Sequence, residues 1–185
     1  GIPSSLVGSE DKNFAVIAYG KMGGMELGYS SDLDLVFVHD CQLTDITNGS
    51  KVISAAQFYA KLAQRMMHIF NTRMSNGLLF ELDLRLRPSG NSGVLVVNID
   101  TFAQYQQNDA WTWEHQALVR ARGVAGDSQI LAKFFSIRQL ILATKREQQT
   151  LKQEVIAMRN KMRQHLDKST SDHYDIKQGS GGLVD

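Results

Sequence analysis

Ser31-Asp32-Leu33-Asp34-Leu35-Val36-Phe37-Val38-His39 is the stretch on which the reading of this chain turns. Leu33 to His39 is rich in β-branched and aromatic residues and reads as a buried strand. Residues two apart on a strand face the same way, so Asp32 and Asp34 project side by side while Leu33, Leu35 and Phe37 turn into a core. Two carboxylates this close repel each other unless a cation neutralises them, and oxygen-only donors suit the hard ions magnesium and manganese. A bare Asp-x-Asp at a strand end is more often simply hydrated. Its neighbours therefore carry the decision.

Upstream, Phe14 to Tyr19 is a second apolar run, and it ends at Gly20-Lys21-Met22-Gly23-Gly24. A glycine-rich turn that follows a strand and opens a short helical turn can cradle phosphate oxygens on its backbone amides, with Lys21 as a point charge. The spacing is neither that of a Walker loop nor that of the dinucleotide fingerprint. Directly ahead of paired aspartates, a phosphate-and-metal site explains it better than an ordinary tight turn.

Downstream, Leu78 to Leu86 alternates strictly until Pro88, with Phe80, Leu82, Leu84 and Leu86 on one side and Leu79, Glu81, Asp83 and Arg85 on the other. A third strand is expected here, and a fourth beside it at Gly93 to Asn98. If the third strand lies next to the first pair, a carboxylate from its polar face joins Asp32 and Asp34. Asp83 is expected in that role, while for Glu81 a place in the site and a bland role, as a surface acid or a partner of Arg85, weigh about evenly. Two ions about 3.5–4 Å apart on such a triad would polarise a triphosphate and stabilise a leaving pyrophosphate. Asp83 could also take the proton of an attacking hydroxyl. Arg85 and Arg87 share this face and either contact phosphate or neutralise the acids.

The remainder reads as scaffold. Ala55 to Phe70 carries apolar residues at helical spacing, as do Thr101 to Arg122, Ser128 to Ala143 and Thr150 to Leu166. The expected organisation is an α+β domain over 1–100 followed by a helical region over 101–185. Arg120 and Arg122 would then end a long helix and interact with its dipole. Trp111 and Trp113 read as core or interhelical anchors. The five histidines, His39, His68, His115, His165 and His173, show no metal-ligand spacing. Cys41 is the only cysteine, which excludes an intrachain disulfide and suits a reducing, cytoplasmic setting. With 20 basic against 19 acidic residues there is no excess of the kind an extended nucleic-acid groove needs. No apolar run is long enough to span a bilayer and the start lacks the order of a secretory signal. Gly1-Ile2-Pro3 at one end and Gly179-Ser180-Gly181-Gly182-Leu183-Val184-Asp185 at the other suggest a piece of a longer protein.

Three longer stretches carry a resemblance. Gly20-Lys21-Met22-Gly23-Gly24-Met25-Glu26-Leu27 with Tyr29-Ser30-Ser31-Asp32-Leu33-Asp34-Leu35, then Asp83-Leu84-Arg85-Leu86-Arg87-Pro88-Ser89-Gly90, then Trp111-Thr112-Trp113-Glu114-His115-Gln116-Ala117-Leu118-Val119-Arg120-Ala121-Arg122 together resemble the bifunctional glutamine synthetase adenylyltransferase family. That family lies within the polymerase-β-like nucleotidyltransferase superfamily, so the resemblance implies a mixed sheet with flanking helices. It also implies ATP as substrate, magnesium or manganese as cofactor, glutamine synthetase as protein substrate and a role in nitrogen assimilation. Of the family's two halves, one adds AMP to a tyrosine hydroxyl and the other removes it by phosphorolysis. The Trp-Thr-Trp-Glu-His-Gln and Tyr-Ser-Ser-Asp-Leu-Asp forms resemble the adding, carboxy-terminal half more closely. Metal roles carry over to Asp32, Asp34 and Asp83, and nucleotide contacts are expected at Gly20, Lys21, Gly23, Gly24, Ser31 and Arg85. The family continues past Asp185, so regulation by the PII signalling protein and glutamine is expected to lie beyond this chain. The rival readings are the removing half, uridylyl transfer to a signalling protein, and an ATP-binding module without transfer activity.

Overall fold

Phe14 to Ala18 contains no polar side chain, and it forms β1 (Phe14–Ala18), buried along its whole length. The computed structural model describes residues 2–3, 13–29, 31–42, 44–73, 75, 77 and 80–182. β2 (Leu33–His39) lies antiparallel to β1, from Phe14 opposite His39 to Ala18 opposite Leu35. The far edge of β1 takes β5 (Arg122–Gly126), also antiparallel. The far edge of β2 takes two short parallel strands, β3 (Leu82–Asp83) at its start and β4 (Val96–Asn98) at its end. This mixed five-stranded sheet with its helices is the expected α+β, polymerase-β-like type of fold.

Alternation along the strands sorts the core into two layers. Ala15, Ile17, Tyr19, Val36 and Val38 share one layer with Ile99, Phe102, Leu118, Ile130 and Phe134. Those partners come from α3 (Ile99–Asn108), α4 (Thr112–Leu118) and α5 (Ser128–Ala143). Phe14, Val16, Ala18, Leu33, Leu35 and Phe37 pack instead with Ala55, Tyr59 and Ala63 of α2 (Ala55–Asn71), which Ser54 caps by accepting from the Gln57 amide at 3.2 Å. Both faces of β2 are thus covered, where the paired aspartates alone suggested one polar face.

Four features differ from the sequence reading. The strand expected over Leu78 to Leu86 is only Leu82–Asp83, with Leu78 and Leu79 outside the described residues. It stops because the Arg85 amide donates to Asp83 Oδ1 at 2.8 Å and turns the chain, while Arg87 grips the carbonyl of Leu84 at 2.6 Å. β4 pairs with β2 rather than with β3, because both short strands share one edge of β2. Thr101 to Arg122 is not one helix. The amides of Asp109 and Ala110 both bond the Tyr105 carbonyl, closing α3, and the extended Trp111 starts α4 by donating to Glu114 Oε2 at 2.9 Å. The sheet does not end at Asp100 either, since Arg122–Gly126 returns to it as β5.

Asp127 ties the end of that strand to the next helix. Its amide donates to the Phe14 carbonyl at 2.9 Å, and its Oδ1 accepts from the amides of Gln129 and Ile130 at 2.8 and 3.3 Å, capping α5. Asp127→Ala is expected to cost about 1–2 kcal/mol, a cap's usual range, with a melting temperature lower by roughly 2–8 °C. An unshifted thermal melt would show that the cap contributes nothing here.

The chain divides into two compact units, Gly1–Ala143 and Thr144–Asp185. The second consists of α6 (Gln148–Leu166) and the turns after it. Glu147 caps α6 by accepting from the Gln149 amide at 2.9 Å, and Asp175 Oδ1 accepts from the amides of Lys177 and Gln178, each at 2.9 Å. Among the described residues no helix is long and apolar enough to cross a membrane.

Candidate active site

The parallel register of β2 and β3 sets Asp34 opposite Asp83, with the Leu33 amide donating to the Glu81 carbonyl at 2.8 Å. Paired positions on neighbouring strands present their side chains on the same face, so the two carboxylates meet. Asp34 is half-buried, and two residues on Val36 is wholly in the core. Asp32 stands one residue ahead of β2 at the exposed lip. The Tyr19 amide donates to the Asp34 carbonyl at 2.8 Å, which brings the end of β1 and the following turn alongside.

That turn is α1 (Gly20–Gly23), and two of its glycines are required by the approach. Gly20 has a φ of +52°, and a methyl group there would lie 2.2 Å from Asp34 Oδ2. At Gly23 a methyl would lie 1.9 Å from the Arg120 carbonyl oxygen and 2.6 Å from that of Ala18. The glycine turn and the carboxylates therefore form one site. The turn closes with Met25 at a φ of +60° and the Glu26 amide on the Lys21 carbonyl at 2.7 Å.

Burial, and after it the charges of Asp83 and Asp32, raise the Asp34 carboxyl above the usual carboxylate range, with Arg85 and Lys21 opposing. Asp83 is held below that range, first by its hydrogen bonds from Arg85. Arg85 Nε reaches Asp83 Oδ1 at 3.0 Å and Oδ2 at 2.8 Å, and its Nη2 also donates to Oδ2. Among the described residues no three acidic, histidine or cysteine side chains stand close enough, as they are, to hold a metal ion. In the triad, both oxygens of Asp83 are engaged by the guanidinium. The donor set nevertheless consists only of carboxylate oxygens, and the charges of Asp83 and Asp32 both act on the half-buried Asp34, which is the chemistry that a hard divalent cation relieves.

The family model GlnE, glutamate-ammonia ligase adenylyltransferase, matches residues 1–137, which include all five strands, the α1 turn and the three aspartates. The chain belongs to this family. Glutamate-ammonia ligase is glutamine synthetase, so the family is one of nucleotidyltransferases that use ATP to adenylylate glutamine synthetase.

In this family member the other expected site residues fall into two groups. Lys21 is exposed and its charge reaches Asp34. Ser31 is buried, and its hydroxyl accepts from the Gly28 amide at 3.3 Å, which holds the approach to β2 in place. The amides of Gly23, Gly24, Met25 and Glu26 bond carbonyls of Tyr19, Gly20, Met22 and Lys21, so they are committed inside the turn. Glu81 is exposed, and the acidic charges that act on Asp34 are those of Asp83 and Asp32. Arg87 bonds none of the acids, and only its charge reaches Asp83, which it helps to lower. Its guanidinium ties together the carbonyls of Leu84, Asn91 and Gly93.

Sequence reasoning missed the basic residues that brace the turn. Arg120 and Arg122 are not at the end of a helix. Arg120 follows α4 and pairs with Glu26, while Arg122 opens β5 and donates to the carbonyls of Met22 and Gly23, each at 3.3 Å. The cation at the C-terminal end of α4 is Arg138, on the Leu118 and Val119 carbonyls at 2.7 and 2.6 Å. A signal existed in Arg122-Gly123-Val124-Ala125-Gly126-Asp127, a short run bounded by glycine and ending in a helix-capping aspartate. Trp111 is 62% exposed rather than a core anchor. Cys41 is buried, with its Sγ 2.8 Å from His39 Nδ1, and burial pushes its thiol up to about 11, so it is an inert packing residue.

Proposed function

We propose that this chain is an adenylylating half of its family's enzyme and transfers AMP from ATP to a tyrosine hydroxyl of glutamine synthetase. The observation that supports this most is the meeting of Asp34 and Asp83 in register beside Gly20, which joins a carboxylate cluster to a turn suited to phosphate. Asp32, Asp34 and Asp83 would hold magnesium or manganese, and such a cation, when bound, offsets the triphosphate's charge and eases departure of pyrophosphate. The tyrosine oxygen forms a bond to the α-phosphorus, the bond from that phosphorus to the bridging oxygen of the β-phosphate breaks, and Asp83 takes the phenolic proton. Lys21 and the first amides of α1 face the phosphates, and the bracing by Arg120 and Arg122 keeps the turn in place while they do.

The assignment to the adenylylating half leans on Trp111-Thr112-Trp113-Glu114-His115-Gln116 and on Tyr29-Ser30-Ser31-Asp32-Leu33-Asp34. The test is transfer of α-labelled AMP from ATP to unmodified glutamine synthetase with magnesium or manganese, and with chelator as control. Cation-dependent label on glutamine synthetase is expected. Release of label from adenylylated glutamine synthetase by phosphate, without forward transfer, would make this the removing half. Nucleotide binding with neither reaction would make it a binding module.

A further inference from the structure

We propose that Arg85 is a positioning residue that latches Asp83, and that Asp83 must exchange Arg85 for the cation before the site can load. The inference relies on the reading of Asp32, Asp34 and Asp83 as cation ligands. Both oxygens of Asp83 accept from Arg85, through Nε at 3.0 and 2.8 Å and through Nη2, and the Arg85 backbone amide adds a fourth bond at 2.8 Å. This side-on grip leaves Asp83 turned to a guanidinium two residues along its own chain, although the strand register sets it opposite Asp34. The Arg85 side chain is 72% exposed while that of Asp83 is only 14% exposed, so the arginine can swing into solvent and the aspartate stays in place. The same guanidinium feels the charges of Asp34 and Asp32, and so acts as an internal cation for the whole cluster in the absence of a metal. On exchange the Asp83 carboxylate passes from guanidinium to metal with no proton moved, and the freed Arg85 stands beside the site as a donor for the triphosphate.

Manganese titrated into the protein without nucleotide, with the free aquo-ion followed by electron paramagnetic resonance, tests the latch. Arg85→Ala is expected to bind manganese about fivefold more tightly than the parent, the gain from freeing an acid held by one exposed bidentate pair. Arg85→Lys, which keeps the charge but not the fork, is expected to tighten binding in part. Lys21→Ala removes a charge that also reaches Asp34 but does not touch Asp83, and is expected to tighten binding less than Arg85→Ala. Unchanged or weaker binding by folded Arg85→Ala, or an equal gain in Lys21→Ala, would overturn the latch. Asp34→Asn separates the premise from the inference. If it loses manganese while Arg85→Ala gains nothing, the carboxylate site stands and only the latch fails. If Asp34→Asn binds manganese like the parent, the cation reading fails and takes the latch with it.

Discussion

Asp34→Asn is expected to reduce AMP transfer about a thousandfold while the melting temperature of the metal-free protein stays level or rises. The loss follows from removing a ligand charge worth several kcal/mol of transition-state stabilisation, at about 1.4 kcal/mol per factor of ten. The stability side follows from burial of this carboxyl and, after it, from the neighbouring acids. Burial, Asp83 and Asp32 raise the folded-state pKa of Asp34 above its unfolded value, so the folded chain holds that proton more tightly. The ionised carboxylate therefore opposes folding at neutral pH, and the opposition fades as pH falls through the raised pKa. The variant's advantage over the parent is expected near pH 7 and is expected to vanish at acid pH. Saturating magnesium reverses the order. At about a hundredfold excess over its dissociation constant a cation adds roughly 2.7 kcal/mol, or a rise of about 5–10 °C, to the parent and not to the variant. Thermal melts with and without magnesium, beside a transfer assay, read all of this. Normal turnover in folded Asp34→Asn, or an equal magnesium shift in both proteins, would sink the cation reading.

Two neighbouring glycines are expected to fail in opposite ways. Gly23→Ala drives a methyl to 1.9 Å from the Arg120 carbonyl oxygen and 2.6 Å from that of Ala18. Both atoms are backbone, one leading into β5 and one ending β1, and neither can rotate aside. Overpacking typically costs about 1–3 kcal/mol, and with two fixed backbone obstacles the upper end is expected, a fall of roughly 6–12 °C in melting temperature. Gly20→Ala meets only the Asp34 side chain, with Oδ2 at 2.2 Å and Cγ at 3.1 Å, and that carboxylate, unlike backbone, can rotate. The φ of +52° adds a strain of about 1 kcal/mol for a residue with a Cβ, so the protein is expected to fold a few degrees less stably. Its transfer activity is expected to fall by about a hundredfold, because a displaced carboxylate misplaces whatever it holds. Denaturation curves and kinetics on the two variants separate the cases. If Gly20→Ala keeps full activity, the contact between the turn and Asp34 has no functional weight.

Ser128–Ala143 forms the helix that its apolar spacing predicts, and α2 ends one residue beyond the predicted Phe70. Leu33–His39 forms the predicted strand. In each, the period of apolar residues repeats over several turns or pleats, and burial of one continuous face enforces it. The break at Asp109 to Trp111 was invisible for the same reason, since the apolar spacing continues across it and only the local bonds of Tyr105 and Glu114 interrupt the helix. β5 was missed because a five-residue, glycine-containing run has little periodicity of its own, and it becomes a strand only when β1 offers an edge.

The same division runs through the site. The residue types alone specify a glycine turn, two aspartates on one strand end and a third on a later alternating segment, because the chemistry of a crowded carboxylate cluster is written in side-chain identity and two-residue spacing. Tertiary structure decided that Asp83 stands opposite Asp34, since strand register is set by packing of Leu33 and Leu84 in the core and not by any local signal. It alone also decided that Arg85 takes Asp83, that Arg87 turns to carbonyls, and that Arg120 and Arg122 reach across some hundred residues to brace the turn. A guanidinium bonds whichever carboxylate or carbonyl the folded chain brings within reach, so sequence announces the charge and the fold chooses its partner.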